Sequence, residues 1–137
     1  MELKQFCKIH KRKLYLSNNL KLAIKLNLDG AYIPAFNNNL GINKYSLRKN
    51  FLLLGSAHNV TELRIKEKQG VKIIFLSPIF KTKKYKKNLG VIKFNILSIR
   101  TNKKIIALGG INKKNINNLK IANAHGFSGI SYFKSQK

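Results

Sequence analysis

The sequence predicts an α/β fold on a parallel sheet, and its 137 residues are typical of a single domain. Six short apolar segments recur along the chain, at 13–17, 30–34, 51–56, 72–77, 104–109 and 129–133. They are near-continuous hydrophobic runs, typical of strands buried on both faces of a parallel sheet. Helix-like stretches separate them, which favours right-handed βαβ units. A closed barrel needs eight strands and an open doubly wound sheet five or six, so this pattern alone leaves both architectures open.

Helix signals lie in the first three gaps between the predicted strands. Apolar residues follow helical spacing over 20–27. The segment 36–50 is the least regular, and we expect only a short helix there. Asn59 with Glu62 three residues later predicts a capped helix start, and Gly70 lies where a helix-ending glycine belongs.

The last two gaps carry similar signals. Ile92, Ile96 and Ile99 recur at intervals of four and three, which predicts a helix. A further helix is predicted after Asn112 as its cap, and Gly126 is interpreted as its stop.

The net charge of +24 is large, since 28 Lys and Arg face only 4 Asp and Glu. Such a charge attracts nucleic acid. The basic residues are, however, 24 Lys and 4 Arg, and arginine is the better reader of phosphate and base edges. The lysines also run from Lys4 to Lys137 and are not confined to one segment. We therefore expect nucleic acid only as a nonspecific, salt-sensitive partner.

The sequence predicts a cytoplasmic chain without a membrane partner. No apolar run approaches the roughly 18 residues that a membrane span needs. The start, MELKQFCKIHKRK, lacks the apolar centre of a secretory signal. The single cysteine, Cys7, cannot form an internal disulfide and suits a reducing compartment. We expect it at a half-buried helical position.

Candidate functional residues are sought where parallel strands end, because function in such sheets lies at the carboxyl ends of the strands. These ends are small, polar or basic, and none of the four acidic residues falls among them. Paired-carboxylate hydrolysis, carboxylate metal sites and acid-assisted nucleophilic triads are therefore disfavoured.

What remains suits the binding of an anion. Gly109 and Gly110 follow a strand and precede a helix-like segment, where glycines let the backbone approach a phosphate closely. Lys134 adds a cation at the end of the last predicted strand. His58 follows a strand and precedes the capped helix, where it could act as a general acid or base or serve only as a backbone-bonded loop residue.

Five segments in order resemble the thiamin phosphate synthase and TenI family. They are LDGAYIPAF, LGSAHNVTEL, IIFLSPIFKTKKYKKNLG, IIALGGINKKNI and HGFSGISYF, which together cover the chain from about Leu14 to Phe133. The resemblance implies a TIM-barrel type of fold, a (β/α) barrel that is incomplete here. Its six parallel strands would correspond to the last six of the barrel. The first two βα units and the final helix of the family have no counterpart in residues 1–137.

The resemblance also implies roles for individual residues. Gly109, Gly110 and Lys134 would hold the phosphate of a thiazole. The pocket for the substrates would include Ser17, Asn18, Ser56, Ser77 and Thr82. His58 and Lys84 would be catalytic, His58 as a proton shuttle and Lys84 as a cation for pyrophosphate. By strict spacing the loop lysine falls at Tyr85, so Lys84 or Lys86 would reach in its place.

The resemblance implies Mg²⁺ as a cofactor, but two positions depart from the family. Asn18 and Asn37 stand where the family has its magnesium aspartates, and neutral amides are poor ligands for a hard cation. We assign no metal-ligating residue. An incomplete barrel leaves open edges, which a homo-oligomer or a strand-completing partner would cover, unless the gene model is truncated.

Three functions follow from the family. The first is a transferase that couples thiazole phosphate to an aminopyrimidine diphosphate and releases pyrophosphate. The second is a thiazole tautomerase that uses His58 and needs no Mg²⁺. The third is a catalytically inactive protein that binds thiazole phosphate or regulates the pathway.

Overall fold

The structure, a computed structural model, describes residues 2–83 and 87–134. Strands and helices alternate along this part of the chain. They are α1 Glu2–Ile9, β1 Tyr15–Ser17, α2 Leu20–Lys25, β2 Gly30–Ile33, a 3₁₀ helix Leu40–Lys44, β3 Leu52–Ala57, α3 Val60–Lys68, β4 Ile73–Leu76, α4 Gly90–Ser98, β5 Lys104–Leu108, a second 3₁₀ helix Ile116–Ile121, β6 Gly126–Ser128 and α5 Ile130–Lys134. None of these helices has the length and apolar character that a bilayer crossing requires.

The strands form one parallel sheet in which each strand pairs with its neighbours in sequence, in the order β1-β2-β3-β4-β5-β6. The sheet is not closed, since β1 and β6 lie at its two edges. All strands run the same way, so their carboxyl ends lie along one edge of the sheet. The predicted parallel α/β architecture is confirmed.

The core lies between the helices and one face of the sheet. Residues in register on that face are buried, among them Ile33, Ile74 and Ile105. The opposite face is only half-buried, and there the rings of Tyr32 and Phe75 meet edge to face with centroids 5.8 Å apart. The apolar runs predicted that both faces of the sheet are buried. In the structure only the helix-covered face is buried, and the other is half-buried.

Asp29 holds the amino-terminal side of the sheet together. Its Oδ2 accepts a hydrogen bond of 2.9 Å from Leu14 N, and its Oδ1 lies 3.3 Å from Lys13 Nζ. The hydrogen bond from Leu14 and the charge of Lys13 together lower the pKa of this carboxyl, although burial acts in the opposite direction. Asp29 therefore joins two strands at the end away from the site.

The predicted start and end of α3 are confirmed. Asn59 is the N-cap, and its Oδ1 accepts a hydrogen bond of 2.9 Å from Glu62 N. Glu62 reaches back one residue beyond the cap, where its Oε2 accepts from His58 N at 2.6 Å. Gly70 ends the helix in the left-handed region with φ 78°, and its N–H donates to Glu67 O.

Two predictions near the C-terminus are wrong. The segment 129–133 was predicted as the last strand, but β6 is Gly126–Ser128 and the residues from Ile130 form α5. Pairing decides this, because Ile106 and Leu108 of β5 meet Gly126 and Ser128 in register. Gly126 thus begins a strand and does not stop a helix. The helix predicted after Asn112 is only the 3₁₀ helix Ile116–Ile121.

The helix α4 forms as predicted but turns a different face to the sheet. Ile92, Ile96 and Ile99 are 80%, 49% and 70% exposed, whereas Phe94 and Leu97 are buried. The sequence of α4 is apolar on several sides, so the isoleucine spacing did not identify its buried face.

Candidate functional site

The first part of the site is a pair of asparagines where β1 and β2 end. Asn37 Nδ2 donates a hydrogen bond of 2.7 Å to Asn18 Oδ1, and Asn37 Oδ1 accepts one of 3.0 Å from Asn39 N. The main-chain N–H of Asn39 can only donate, so this contact fixes which way the Asn37 amide points. Asn18 itself has a φ of 55°, in the left-handed region that asparagine tolerates.

A cavity of about 200 Å³ opens above this pair. Its lining mixes amides, one lysine and apolar side chains, namely Asn18, Asn19, Leu20, Lys21, Ile33, Asn37, Asn39, Ile42 and Tyr45. The exposed Ser17 lies beside it, at the end of β1. The cavity thus combines hydrogen-bonding groups with an apolar wall at the edge where the sheet was expected to carry function.

Beneath the pair lies a buried polar network that the sequence did not reveal. Lys66 and Gln69 are both 0% exposed. Lys66 Nζ donates to Asn37 O at 2.7 Å and to Gln69 Oε1 at 2.8 Å. Gln69 Nε2 donates to Asn37 O at 2.8 Å and to Asn39 O at 3.1 Å. The network therefore fixes the main-chain carbonyls of Asn37 and Asn39, which flank the N–H that holds the Asn37 side chain.

Gly55 in β3 leaves room for this network. A Cβ atom at that position would lie 3.0 Å from Lys66 Cδ and 3.2 Å from Ile33 O. Burial lowers the pKa of Lys66 to about 8, and the charge of Glu62 acts in the opposite direction. At neutral pH Lys66 is still mostly protonated, so a positive charge lies under the loop that follows β2.

The second part of the site joins the ends of β3 and β4. His58 Nδ1 lies 2.7 Å from Ser77 O and 3.3 Å from Ser77 Oγ. A carbonyl only accepts, so Nδ1 is the donor in its contact with Ser77 O. Ser56 Oγ is buried and accepts a hydrogen bond of 3.0 Å from Ala35 N. Ser56, His58 and Ser77 therefore lie at one edge, as the sequence predicted.

The third part is the glycine pair after β5. Gly109 and Gly110 have φ values of 97° and 72°. A Cβ at Gly109 would lie 2.8 Å from Pro78 Cα, and one at Gly110 would lie 2.3 Å from Lys81 O. These glycines are therefore required by close packing of the chain that follows β4. Two main-chain hydrogen bonds fix this packing, from Ile79 N to Leu108 O and from Phe80 N to Gly109 O.

The remaining predicted site residues are less central. Thr82 follows the packed segment and is half-buried. Lys84 lies outside the described residues. Lys134 was placed at a strand end, but it lies exposed in the last turn of α5. Its assignment to a basic strand end is therefore wrong, because the chain turns into a helix after β6.

The residues at this edge do not fit a magnesium ion. Hard cations prefer carboxylate oxygens, and here the two candidate ligands are amides whose oxygens already accept hydrogen bonds from the protein. In residues 2–83 and 87–134, no cluster of three or more His, Cys, Asp or Glu side chains could hold a metal ion.

The sequence and structure match known proteins along almost the whole chain. Residues 1–133 match the model of the thiamine monophosphate synthase family. The chain belongs to this family. A protein of Aquifex aeolicus named "Putative thiamine-phosphate synthase 2" is 30% identical over 134 residues, which are 96% of this chain and 72% of that protein. A thiamine-phosphate synthase of Prochlorococcus marinus subsp. pastoris is also 30% identical, over 96% of this chain but only 37% of the relative.

A solved structure supports the same fold. The thiamine phosphate pyrophosphorylase from Pyrococcus furiosus superposes with a TM-score of 0.73 at 18% identity, over 93% of this chain and 61% of that chain. The six-stranded sheet is therefore of the TIM-barrel type found in this family, although it is not closed. The chain spans between 37% and 72% of the length of these three proteins.

Proposed function

We propose that this protein binds a thiazole phosphate at the carboxyl edge of its sheet and couples it to an aminopyrimidine diphosphate. The observation that carries the proposal is the contact between His58 Nδ1 and Ser77 O, which joins the ends of β3 and β4. The segment after Ser77 packs directly on Gly109 and Gly110. Three strand ends are thus held together as one surface that is rich in hydrogen-bonding groups.

In the proposed reaction the bond between the pyrimidine methylene carbon and the diphosphate oxygen breaks, and its electron pair leaves with pyrophosphate. The thiazole nitrogen then donates its lone pair to the carbon, so that a C–N bond forms. The protein must neutralise charge on the leaving group, which fixed cations achieve by electrostatic preorganisation. Lys81 and Lys83 are exposed in the segment after β4 and are suited to this role. Lys84 remains a prediction.

The main chain after β5 is suited to hold the thiazole phosphate. The N–H groups of Gly110 and Ile111 donate no hydrogen bond to another of the described residues. Successive main-chain N–H groups with glycine at positive φ form concave anion sites. Asn112 closes the far side of this turn, where its Nδ2 donates to Gly110 O at 3.3 Å.

A thiazole tautomerase is the second candidate, and the position of His58 favours it. The contact of its Nδ1 with Ser77 O holds the ring at the carboxyl ends of β3 and β4, where a histidine can serve as a general acid or base. Such a reaction needs neither a diphosphate nor a metal ion.

One set of assays separates these functions. Coupling of the two substrates is measured with and without Mg²⁺, and thiazole tautomerisation is measured on the same preparation. His58→Asn should reduce tautomerisation about 100-fold or more if the ring transfers the proton, whereas His10→Asn, at an exposed position, should not. If the protein catalyses neither reaction but thiazole phosphate raises its melting temperature, a binding role would replace both enzymatic functions.

A further inference from the structure

We infer that Lys66 is a positioning residue whose buried ammonium fixes the Asn18–Asn37 amide pair, so that this end of the site is built without a protein-bound divalent cation. The inference concerns the site of the proposed function, but its tests below do not depend on turnover.

Hydrogen bonds to the main chain of the loop connect Lys66 to the asparagine pair. Lys66 and Gln69 both donate to Asn37 O, at 2.7 and 2.8 Å. Gln69 also holds Asn39 O, at 3.1 Å. The loop is therefore fixed on both sides of the point where Asn39 N donates to Asn37 Oδ1. This last contact directs Asn37 Nδ2 at Asn18, so the orientation of the pair depends on the buried network.

The hydrogen bonds of the pair already use the oxygens that a cation would need. Asn18 Oδ1 accepts from Asn37 Nδ2, and Asn37 Oδ1 accepts from Asn39 N. A metal ion would have to share both oxygens with these donors and would gain only neutral ligands in return.

The positive charge of Lys66 also disfavours a metal ion at the asparagine pair. Its ammonium contacts Asn37 O directly and is shielded from water, so it repels a second cation over the short distance to the pair. The ammonium donates to Asn37 O and Gln69 Oε1. Lys66 therefore orders the loop after β2, as a bound cation would otherwise do.

The first test measures the loop by amide hydrogen exchange. Lys66→Met keeps the length of the side chain and removes the ammonium, and Lys68→Met is the matched control on an exposed position of the same helix. We expect exchange at Asn39 N to rise about tenfold or more in Lys66→Met alone, since loss of a buried charged contact exceeds 1.4 kcal/mol. Amides of β3 should stay protected. The positioning role would be overturned if exchange became faster throughout the protein, or if the exchange rate at Asn39 N did not change.

A second variant keeps the test decisive if Lys66→Met does not fold. Gln69→Met retains the ammonium but removes one partner of Asn37 O, the contact to Asn39 O and the oxygen that accepts from Lys66 Nζ. It should produce the same local increase in exchange, to a smaller extent. If exchange at Asn39 N were unchanged in Gln69→Met, Gln69 would not help to hold the loop and the proposed network would be wrong.

The third test measures Mn²⁺ and Mg²⁺ binding by thermal shift against KCl of equal ionic strength. The unmodified protein should show no saturable shift, whereas Asn18→Asp with Asn37→Asp should gain one. Adding Lys66→Met to that double variant should tighten Mn²⁺ binding by roughly tenfold, because a nearby positive charge is removed. Adding Lys68→Met should not. Saturable binding to the unmodified protein that Asn18→Ala abolishes would overturn the inference, whether or not the coupling reaction occurs.

Discussion

Replacement of Lys66 by Met should change the pH dependence of stability in a direction that is unusual for a charged residue. In the folded protein burial lowers the pKa of Lys66 from 10.5 to about 8. The difference corresponds to roughly 3 kcal/mol that it costs to keep the buried amine charged, at about 1.4 kcal/mol per pH unit. Below pH 8 the amine is protonated in both the folded and unfolded states, so that cost is fully present.

The sign follows from proton binding. Between the folded and unfolded pKa values the unfolded chain holds more protons than the folded one, so the free energy of unfolding rises with pH. The free energy of unfolding of the unmodified protein, minus that of Lys66→Met, should therefore rise by about 2 kcal/mol from neutral pH to about pH 9.5.

Urea unfolding of the two proteins across this pH range is the assay, and the difference between them cancels the titration of the other lysines. Lys68→Met, which changes an exposed lysine, should give a difference that does not vary with pH. A flat difference for Lys66→Met would refute the burial argument, and a falling one would mean that the ammonium is stabilised by its partners more than it is desolvated.

Three further changes test the fold around the site. Asp29→Ala should lower stability by about 1 kcal/mol near neutral pH, and the loss should vanish in acid, since a carboxyl with a lowered pKa stabilises only while ionised; urea titrations at several pH values measure this. Asn59→Ala removes the N-cap of α3 and should cost about 1 kcal/mol in the same assay. Gly110→Ala would drive a Cβ to 2.3 Å from Lys81 O and should cost more than about 3 kcal/mol, whereas Gly70→Ala, with open space and only a positive φ, should cost about 1 kcal/mol; equal losses would contradict the packing argument.

Much of the sheet could be predicted from the sequence because its strands are marked locally. The runs that became β3, β4 and β5 are bounded by polar or glycine residues, and the Asn59 cap identifies where α3 begins. The parallel arrangement by itself predicts that Ser56, His58 and Ser77 lie at one edge of the sheet. The resemblance to the family supplied the same residues independently.

The rest depended on tertiary contacts that local patterns do not encode. The segment 129–133 has the composition of a strand, but pairing with β5 selects Gly126–Ser128 and leaves the following residues to form a helix. In α4, large apolar residues lie on several sides, and Phe94 takes the buried position that the isoleucine spacing suggested for Ile92.

Lys66 was the most consequential residue that sequence reasoning missed. It is one of 24 lysines, and composition marks almost all of them as solvent-exposed. The available signal was its position three residues after the buried Leu63, on the same face of α3. Gly55, which makes room for the side chain, lies on a different element and gives no local hint.

The order of the strands has a consequence for how such a protein changes over evolution. Because every strand pairs with its neighbours in sequence, adding or removing a strand–helix unit at either edge alters a single interface. Repeat proteins share this modular property. His58 and Ser77 follow the two central strands, so adding or removing a unit at either edge leaves their contact unchanged. Chains of very different length can thus keep the same contact between these two strand ends while the number of units around it varies.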